Sequence, residues 1–297
     1  MNVRTRLALL LSVSALALVG CGNDTTPTAA DPKPGNGSGT HQDDSSPADP
    51  DESDSDSSAT TTVPVYFVGD TPQGARLYRE FRKVEADNPA VEALALMTAG
   101  DTLDADYRTA YAVDGTFADV EIDDDAIEVS LPDESWTTLP DGMTEEDARL
   151  AAQQLVYTVQ GIAQDRLPVE IVLDGEPADL FGFGGQIGNE PELDVRAMVN
   201  VTSPEEGASV SGSFTASGVS SSFEATTPWE IRDSSGTAVK NGFATAEGWM
   251  DKLYPWETEV DVSGLEPGTY TFVALTDDPS SGEGGGPTED TKTIIVG

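Results

Sequence analysis

The 297 residues contain one cysteine, Cys21, and one histidine, His41, and both precede residue 62. No disulfide can therefore brace a folded part. The Ser-His-Asp, Cys-His and ordinary zinc constellations are excluded from everything that follows. Basic residues are also scarce: 15 Lys+Arg stand against 54 Asp+Glu, for a net charge of -39 and a pI near 4.1. Such a surface repels nucleic acid, and it repels anionic lipid head groups or wall polymers unless divalent cations intervene. The longest apolar run, Leu7 to Val19, has thirteen residues, short of the about twenty needed to cross a bilayer core. A phosphate-cradling glycine loop is missing too. Gly182-Phe183-Gly184-Gly185 leads into no helix and no lysine, and reads as a flexible interdomain junction. Lysines for a Ser-Lys dyad reduce to Lys240, Lys252 and Lys292 and a few others, in strand or turn contexts. Carboxylates are so abundant that no glycosidase-like pair stands out. The acidic turn Asp123-Asp124-Asp125 and the group Asp277, Asp278, Glu283, Glu289 and Asp290 offer oxygen ligands that suit calcium. Neither has EF-hand spacing, and both read as solvated. No catalytic residue, metal site or cofactor is assigned, and the chain reads as a non-enzyme.

What is present begins at the N-terminus. Arg4 and Arg6 precede the apolar run, which closes on Leu18-Val19-Gly20-Cys21. A basic region followed by a short apolar one describes a secretory signal over residues 1–20. The closing tetrapeptide resembles the lipobox of bacterial lipoproteins. That resemblance implies cleavage between Gly20 and Cys21, a diacylglycerol thioether on Cys21, and a lipid anchor on the extracytoplasmic face of the cell membrane. Two acyl chains at about 0.8 kcal/mol per buried CH₂ suffice for stable attachment. The alternative is a plain signal peptide with an incidental cysteine.

Residues 21–61 are Ser, Thr, Asp, Gly and Pro with almost no large apolar side chain. They cannot offset their ordering entropy by burial, and read as a disordered, self-repelling stalk. His41 lies in it as a solvated side chain. Residues 62–185 show the order β-β-α-β-β-α-β, an α+β domain with helices on one sheet. Its strands are read at Val63 to Val68, Leu77 to Val84 (anchored by Tyr78, Phe81 and Val84), a hairpin about Asp123-Asp124-Asp125, and Val169 to Leu173, stopped by Asp174-Gly175. Asn88-Pro89 opens the first helix and Gly100 closes it. Thr144-Glu145-Glu146-Asp147 has the form of a capping box for the second. That helix sets Ala151, Leu155, Val159 and Ile162 on one stripe. A linker, 186–197, leads to residues 198–297. There about seven short strands, among them Ala208 to Ala216 and Ser222 to Ile231, predict an all-β immunoglobulin-like sandwich. Phe223, Trp229, Trp249, Tyr254, Trp256, Tyr270 and Phe272 supply bulk for its core. Trp249-Met250, Leu253-Tyr254 and Trp256 are either part of that core or an exposed aromatic ledge for a partner.

Residues 62–185 resemble the GerMN domain of sporulation and spore-germination proteins. The match rests on Val65-Tyr66-Phe67, the Asn-Pro helix start, Gly115-Thr116-Phe117, Ile127-Glu128-Val129-Ser130-Leu131 followed by Trp136, and Val169 to Gly175. The sequence departs from that pattern at Gly100-Asp101 and at Ala112 to Thr116. Residues 198–297 resemble the immunoglobulin-like domain of bacterial spore-germination proteins, through Val201-Thr202-Ser203-Pro204, Gly207, Gly218, Phe223-Glu224-Ala225 and Ile231 to Gly236. The resemblance implies a non-catalytic binding or scaffold protein of the cell envelope, with an envelope protein or peptidoglycan as partner. The alternatives are an enzyme acting on wall glycan and an accessory regulator of a membrane sensor kinase or secretion complex.

Overall fold

The computed structural model describes residues 59–277 and 285–297. The predicted signal and lipidation residues Gly20 and Cys21, His41 and nearly all of the stalk lie outside them. Two long strands open the fold, β1 (Thr60–Thr71) and β2 (Gly74–Glu85), paired antiparallel along their whole length. Helix α1 (Pro89–Ala99) follows with Pro89 in its first turn. It ends at Gly100, whose φ of 64° lets its N–H reach the Met97 carbonyl while that of Asp101 reaches Leu96. This paired closure is a Schellman cap. Next come β3 (Asp119–Ile122) and β4 (Ile127–Ser130), the expected hairpin.

Helix α2 (Glu145–Ala163) starts at the capping box, with Thr144 Oγ1 accepting from the Asp147 N–H at 3.1 Å and Asp147 Oδ2 accepting from the Thr144 N–H at 3.2 Å. Strand β5 (Val169–Leu173) pairs parallel to β4. It turns through Asp174-Gly175 into β6 (Glu176–Pro177). Both turn residues have positive φ, 54° and 78°, the type I′ geometry that a two-residue hairpin requires. β7 (Gln186–Ile187) pairs with β5, and the short helix α3 (Glu192–Val195) follows.

The element order matches the expectation, and the strands divide into two hydrogen-bonded sheets, β1-β2 and β3-β4-β5-β6. The reason lies in α2. Its residues from Leu150 to Gln160 are buried on every side, four polar ones included. Gln154 Nε2 donates to the Tyr66 carbonyl at 2.8 Å, and Thr158 Oγ1 accepts from the Tyr66 N–H at 3.2 Å. Side chains one helical turn apart thus supply to the β1 edge what a neighbouring strand would supply. A third strand is not needed there.

Phe81, expected as an apolar anchor, is partly exposed. It lies on the face of β2 shared with Leu77 and Arg79, opposite Tyr78 and Val84. The core of the first domain gathers on the other face around Val65, Phe67, Leu94, Met97, Leu155 and Ile171. At its far end Trp136 packs against Phe117, Tyr111 and Phe181, with ring centroids 5.0–5.7 Å apart. The glycine-rich stretch after Phe181, read as a flexible junction, is an exposed turn tied by backbone hydrogen bonds: the Leu180 N–H reaches the Phe183 carbonyl at 2.9 Å, and the Gly185 carbonyl accepts from Ile171 at 2.9 Å.

The second domain is a sandwich of β8 (Val199–Ser203), β9 (Ala208–Val210), β10 (Ser213–Ser220), β11 (Thr226–Arg232), β12 (Ala238–Thr245), β13 (Tyr254–Asp261), β14 (Gly268–Leu275) and β15 (Glu289–Val296). One sheet runs β13-β10-β8 and the other β12-β11-β14-β15-β9. The run Ala208 to Ala216 is two strands, because the chain leaves one sheet at Ser211-Gly212 and enters the other. Ser222 to Ile231 begins with a 3₁₀ turn at Phe223–Ala225, and the strand starts at Thr226.

Trp229, Trp256 and Phe272 are buried in the sandwich core, whereas Trp249, Tyr254 and Tyr270 are half-buried and Phe223 is exposed. Each core tryptophan covers a glycine directly across the ladder, Trp256 over Gly218 and Trp229 over Gly242. A Cβ on Gly218 would stand 2.2 Å from the Asn200 carbonyl oxygen and 2.8 Å from the Trp256 ring. Gly218→Ala is expected to destabilise by about 1–3 kcal/mol, the range for overpacking a filled core. Gly264→Ala, where a Cβ meets nothing within 4 Å, is expected to stay within about 0.5 kcal/mol. Urea denaturation of the two variants checks this. Equal midpoints would contradict the packing argument.

Candidate functional site

Two places concentrate polar chemistry or exposed apolar surface: the seam between the domains, and an aromatic ledge beside it. The seam is built on the outer edge of β2. The Leu77 carbonyl accepts from the Ala197 N–H at 3.0 Å, and the Arg79 N–H donates to Asn200 Oδ1 at 2.8 Å. The segment read as a linker, 186–197, therefore runs partly as an extra pairing along β2. Its residues Val195, Arg196 and Ala197 are buried.

Beneath that edge lies a cluster of buried ionisable groups. Asp290 accepts from the Tyr107 hydroxyl at 2.6 Å, the Val201 N–H at 2.5 Å, Asn200 Nδ2 at 2.9 Å and Lys292 Nζ at 3.2 Å. Lys292 Nζ also donates to the Tyr107 hydroxyl at 2.8 Å and to Asp104 Oδ2. Asp104 and Tyr107 come from the loop after α1, which Glu80 holds by accepting from the N–H groups of Leu103 and Asp104 at 2.9–3.1 Å. The Tyr78 hydroxyl donates to the Glu289 carbonyl at 3.0 Å, and its ring stacks on Tyr107 at 4.9 Å.

Burial pushes the Lys292 ammonium down, but the carboxylates of Asp290 and Asp104 outweigh it and hold the group above its ordinary value. Burial raises the Asp104 carboxyl against the pull of Lys292. Burial, reinforced by Asp290 and Asp104, raises the hydroxyls of Tyr78 and Tyr107 well above the usual tyrosine range. The arrangement is one of attachment: each buried charge is paired and hydrogen-bonded, and no group is left as a nucleophile or a free base.

The ledge lies where the sandwich meets α3. Phe223 and Trp249 meet edge to face at 5.1 Å, and they line a pocket of about 320 Å³ together with Leu193, Met198 and Met250. Met250 is 68% exposed with φ at 88°, held by its N–H donating to Ser221 Oγ at 3.0 Å. A positive φ at a non-glycine residue costs of order 1–3 kcal/mol, and such strain concentrates at functional positions. The aromatic set at 249–256 thus divides: Trp256 and Leu253 are buried, while Trp249 and Met250 face the ledge.

Among the acidic residues weighed as calcium ligands, Asp290 belongs to the buried cluster and Glu289 pairs with Arg232 at 2.9 and 3.0 Å. Asp278 and Glu283 lie outside the described residues. Among the described residues no group of three or more His, Cys, Asp or Glu side chains is placed to hold a metal ion, and no helix is long and apolar enough to cross a membrane. The buried cluster was missed in the sequence, although β15 carried a signal. Asp290 and Lys292 fall in phase with Ile294 and Val296, on the inward side of the strand.

Residues 64–179 match the family model described as sporulation and spore germination. Residues 198–283 match that of the immunoglobulin-like domain of bacterial spore germination. Among solved structures, the chain is similar to the tandem GerMN domains of the sporulation protein GerM from Bacillus subtilis. Identity is 10%, the TM-score is 0.36, and the alignment covers 47% of this chain and 48% of that one. The chain thus spans about half the length of that structure. A second similarity is to WR4, a C. elegans MSP family member, at 15% identity and TM-score 0.22, over 34% of this chain and 100% of that one. No curated protein matches the chain.

Every raised group in the seam holds its proton more tightly folded than unfolded. The stability contributed by Lys292, Tyr78 and Tyr107 is therefore complete below their ordinary values of 10.5 and 10.0 and is lost as pH rises past them. The melting temperature is expected to fall between about pH 9 and pH 11, and a flat profile would refute the assignment. At pH 7, Lys292→Met leaves Asp104 and Asp290 buried without their cation, for an expected loss of about 3–5 kcal/mol in chemical denaturation.

Proposed function

We propose that this chain, which carries a sporulation and spore-germination domain followed by an immunoglobulin-like domain of bacterial spore germination, is a non-catalytic scaffold of the cell envelope. In this reading it is held at the extracytoplasmic face of the membrane by lipid on Cys21, with residues 21–61 as a spacer. The observation that carries the reading is the seam. The two domains share backbone pairing along β2 and a buried charge cluster, so a partner meets one rigid body. A rigid pair presents a composite surface at little ordering cost. The Trp249–Met250 ledge, where exposed apolar side chains are held out by strained backbone, is the surface assigned to an envelope protein partner. The acidic exterior favours such a partner over bare anionic wall polymer.

Fractionation tests the anchor. Cys21→Ala is expected to leave both domains folded while the protein appears unprocessed or in the soluble fraction. A processed, membrane-bound Cys21→Ala product would overturn it. In-cell crosslinking tests the ledge: Met250→Asp combined with Trp249→Ala is expected to cut the crosslinked product by about tenfold or more at unchanged melting temperature. Incubation of the protein with purified peptidoglycan separates the classes, since release of muropeptides would sink the scaffold reading.

A further inference from the structure

The sulfur of this chain is almost all thioether. Against the one cysteine, Cys21, whose thiol the proposed lipid occupies, the sequence holds five methionines. Met1 lies outside the described residues, and the other four divide by burial. Met97 and Met143 are buried in the core of the first domain, whereas Met198 and Met250 are 37% and 68% exposed. The two exposed ones are far apart in the chain, yet both line the ledge pocket of about 320 Å³ with Leu193, Phe223 and Trp249. A single buried serine ties them together. The Ser221 N–H donates to the Met198 carbonyl at 2.8 Å, and Ser221 Oγ accepts from the Met250 N–H at 3.0 Å. The φ of 88° at Met250 is one that glycine takes without strain, but the position carries a thioether.

An accessible thioether is open to peroxide in a way that a buried one is not. A lone pair on sulfur attacks one oxygen of hydrogen peroxide, and the O–O bond breaks. That oxygen stays on sulfur, and the other takes up its proton and leaves as water. Sulfur is oxidised by one electron pair, and the peroxide is reduced by the same pair. The product is a sulfoxide, in which a flexible apolar side chain has become a polar hydrogen-bond acceptor. An apolar partner surface seated over the ledge would bury that acceptor without a donor, which opposes binding. Met97 and Met143, shielded in the core, are spared, so the chemistry alters the recognition surface and leaves the fold beneath it intact. Exposed methionines scattered over the exterior would only consume oxidant; here both sit where an added oxygen changes what the surface can hold.

We propose that Met198 and Met250 form a reversible oxidation site: peroxide converts them to sulfoxides and releases the partner from the ledge, and methionine sulfoxide reductases restore it. The release rests on the ledge as docking surface; the selective oxidation does not. Isolated membranes carrying the full-length protein are treated with hydrogen peroxide, and oxygen gain at each methionine is followed by peptide mass spectrometry. Met250 and Met198 are expected to react about tenfold or more faster than Met97, with the melting temperature unchanged. Crosslinking in the same membranes is expected to fall about tenfold, and to return once purified reductases for both sulfoxide epimers are added. Met198→Leu combined with Met250→Leu, close in volume, is expected to crosslink equally before and after peroxide. Should that variant not crosslink at all, restoration by the reductases decides. Equal oxidation of Met250 and Met97, a crosslinked product that survives oxidation of both exposed methionines, or an equal fall in the leucine variant would each overturn the switch. If Met250→Asp with Trp249→Ala leaves the untreated product unchanged, the ledge is not the docking surface, and that reading fails first, taking the release with it.

Discussion

A two-stranded ribbon buried in a protein interior has two open edges, and every N–H and C=O along them must find a partner. The β1-β2 ribbon meets this constraint differently on its two sides, and the fold follows from how it does. On the β1 side, polar side chains of α2 reach the backbone of Tyr66, and Val68 exchanges hydrogen bonds of 2.7 and 2.8 Å with Arg108. The second sheet is thereby free to form elsewhere. On the β2 side, Leu77 and Arg79 turn their outward groups to Ala197 and Asn200. The immunoglobulin-like domain is, in effect, the partner of the β2 edge.

That arrangement accounts for the charge cluster at the seam. Once β2 is paired with the 196–200 segment, β15 is drawn across the loop after α1. Its inward positions, apolar in the sandwich at Ile294 and Val296, pass at Asp290 and Lys292 into the space between the domains. Hydrophobic side chains there would have closed the seam without choosing a register. A lysine set between two aspartates, with a tyrosine and an asparagine satisfying what remains, admits one alignment. A shift of β15 by one residue would bury unpaired charge at a cost of several kcal/mol. The cluster thus fixes how the domains dock, beside the stability that its raised proton affinities contribute.

Most of the fold was legible in the chain, and what was hidden has a common physical cause. The Asn-Pro start and glycine stop of α1, the capping box of α2, the Asp-Gly turn after β5 and the alternation of the sandwich strands are local signals, and each stands as read. What stayed hidden are residues whose role is set by a distant neighbour. Gln153, Gln154, Thr158 and Gln160 are polar yet buried, because strand and loop backbones need them. Gly182 to Gly185 looks like a joint and is a hydrogen-bonded turn. Asp104, Asp290 and Lys292 are lost among dozens of charges because composition carries no record of which three meet. The ledge was legible as a question only, since Trp249 and Trp256 differ in environment and not in type.

The scarcity of bases sharpens the same point. With so few cations in the chain, their placement shows where attraction is needed. Arg82 joins Glu80 to Asp101 after α1, Arg149 joins α2 to Glu190, and Arg232 joins β11 to Glu289 on β15. Arg196 and Lys292 stand at the seam itself. Four of these six pairs bridge separate elements, Arg82–Glu80 lying within β2 and Arg196–Glu192 one turn apart at α3, and the two at the seam are shielded from solvent, where salt screens them little. The exterior, by contrast, is left to acidic groups whose mutual repulsion keeps copies apart and is itself weakened by salt. The molecule thus divides its electrostatics by depth: repulsion outside for solubility, paired charge inside for alignment.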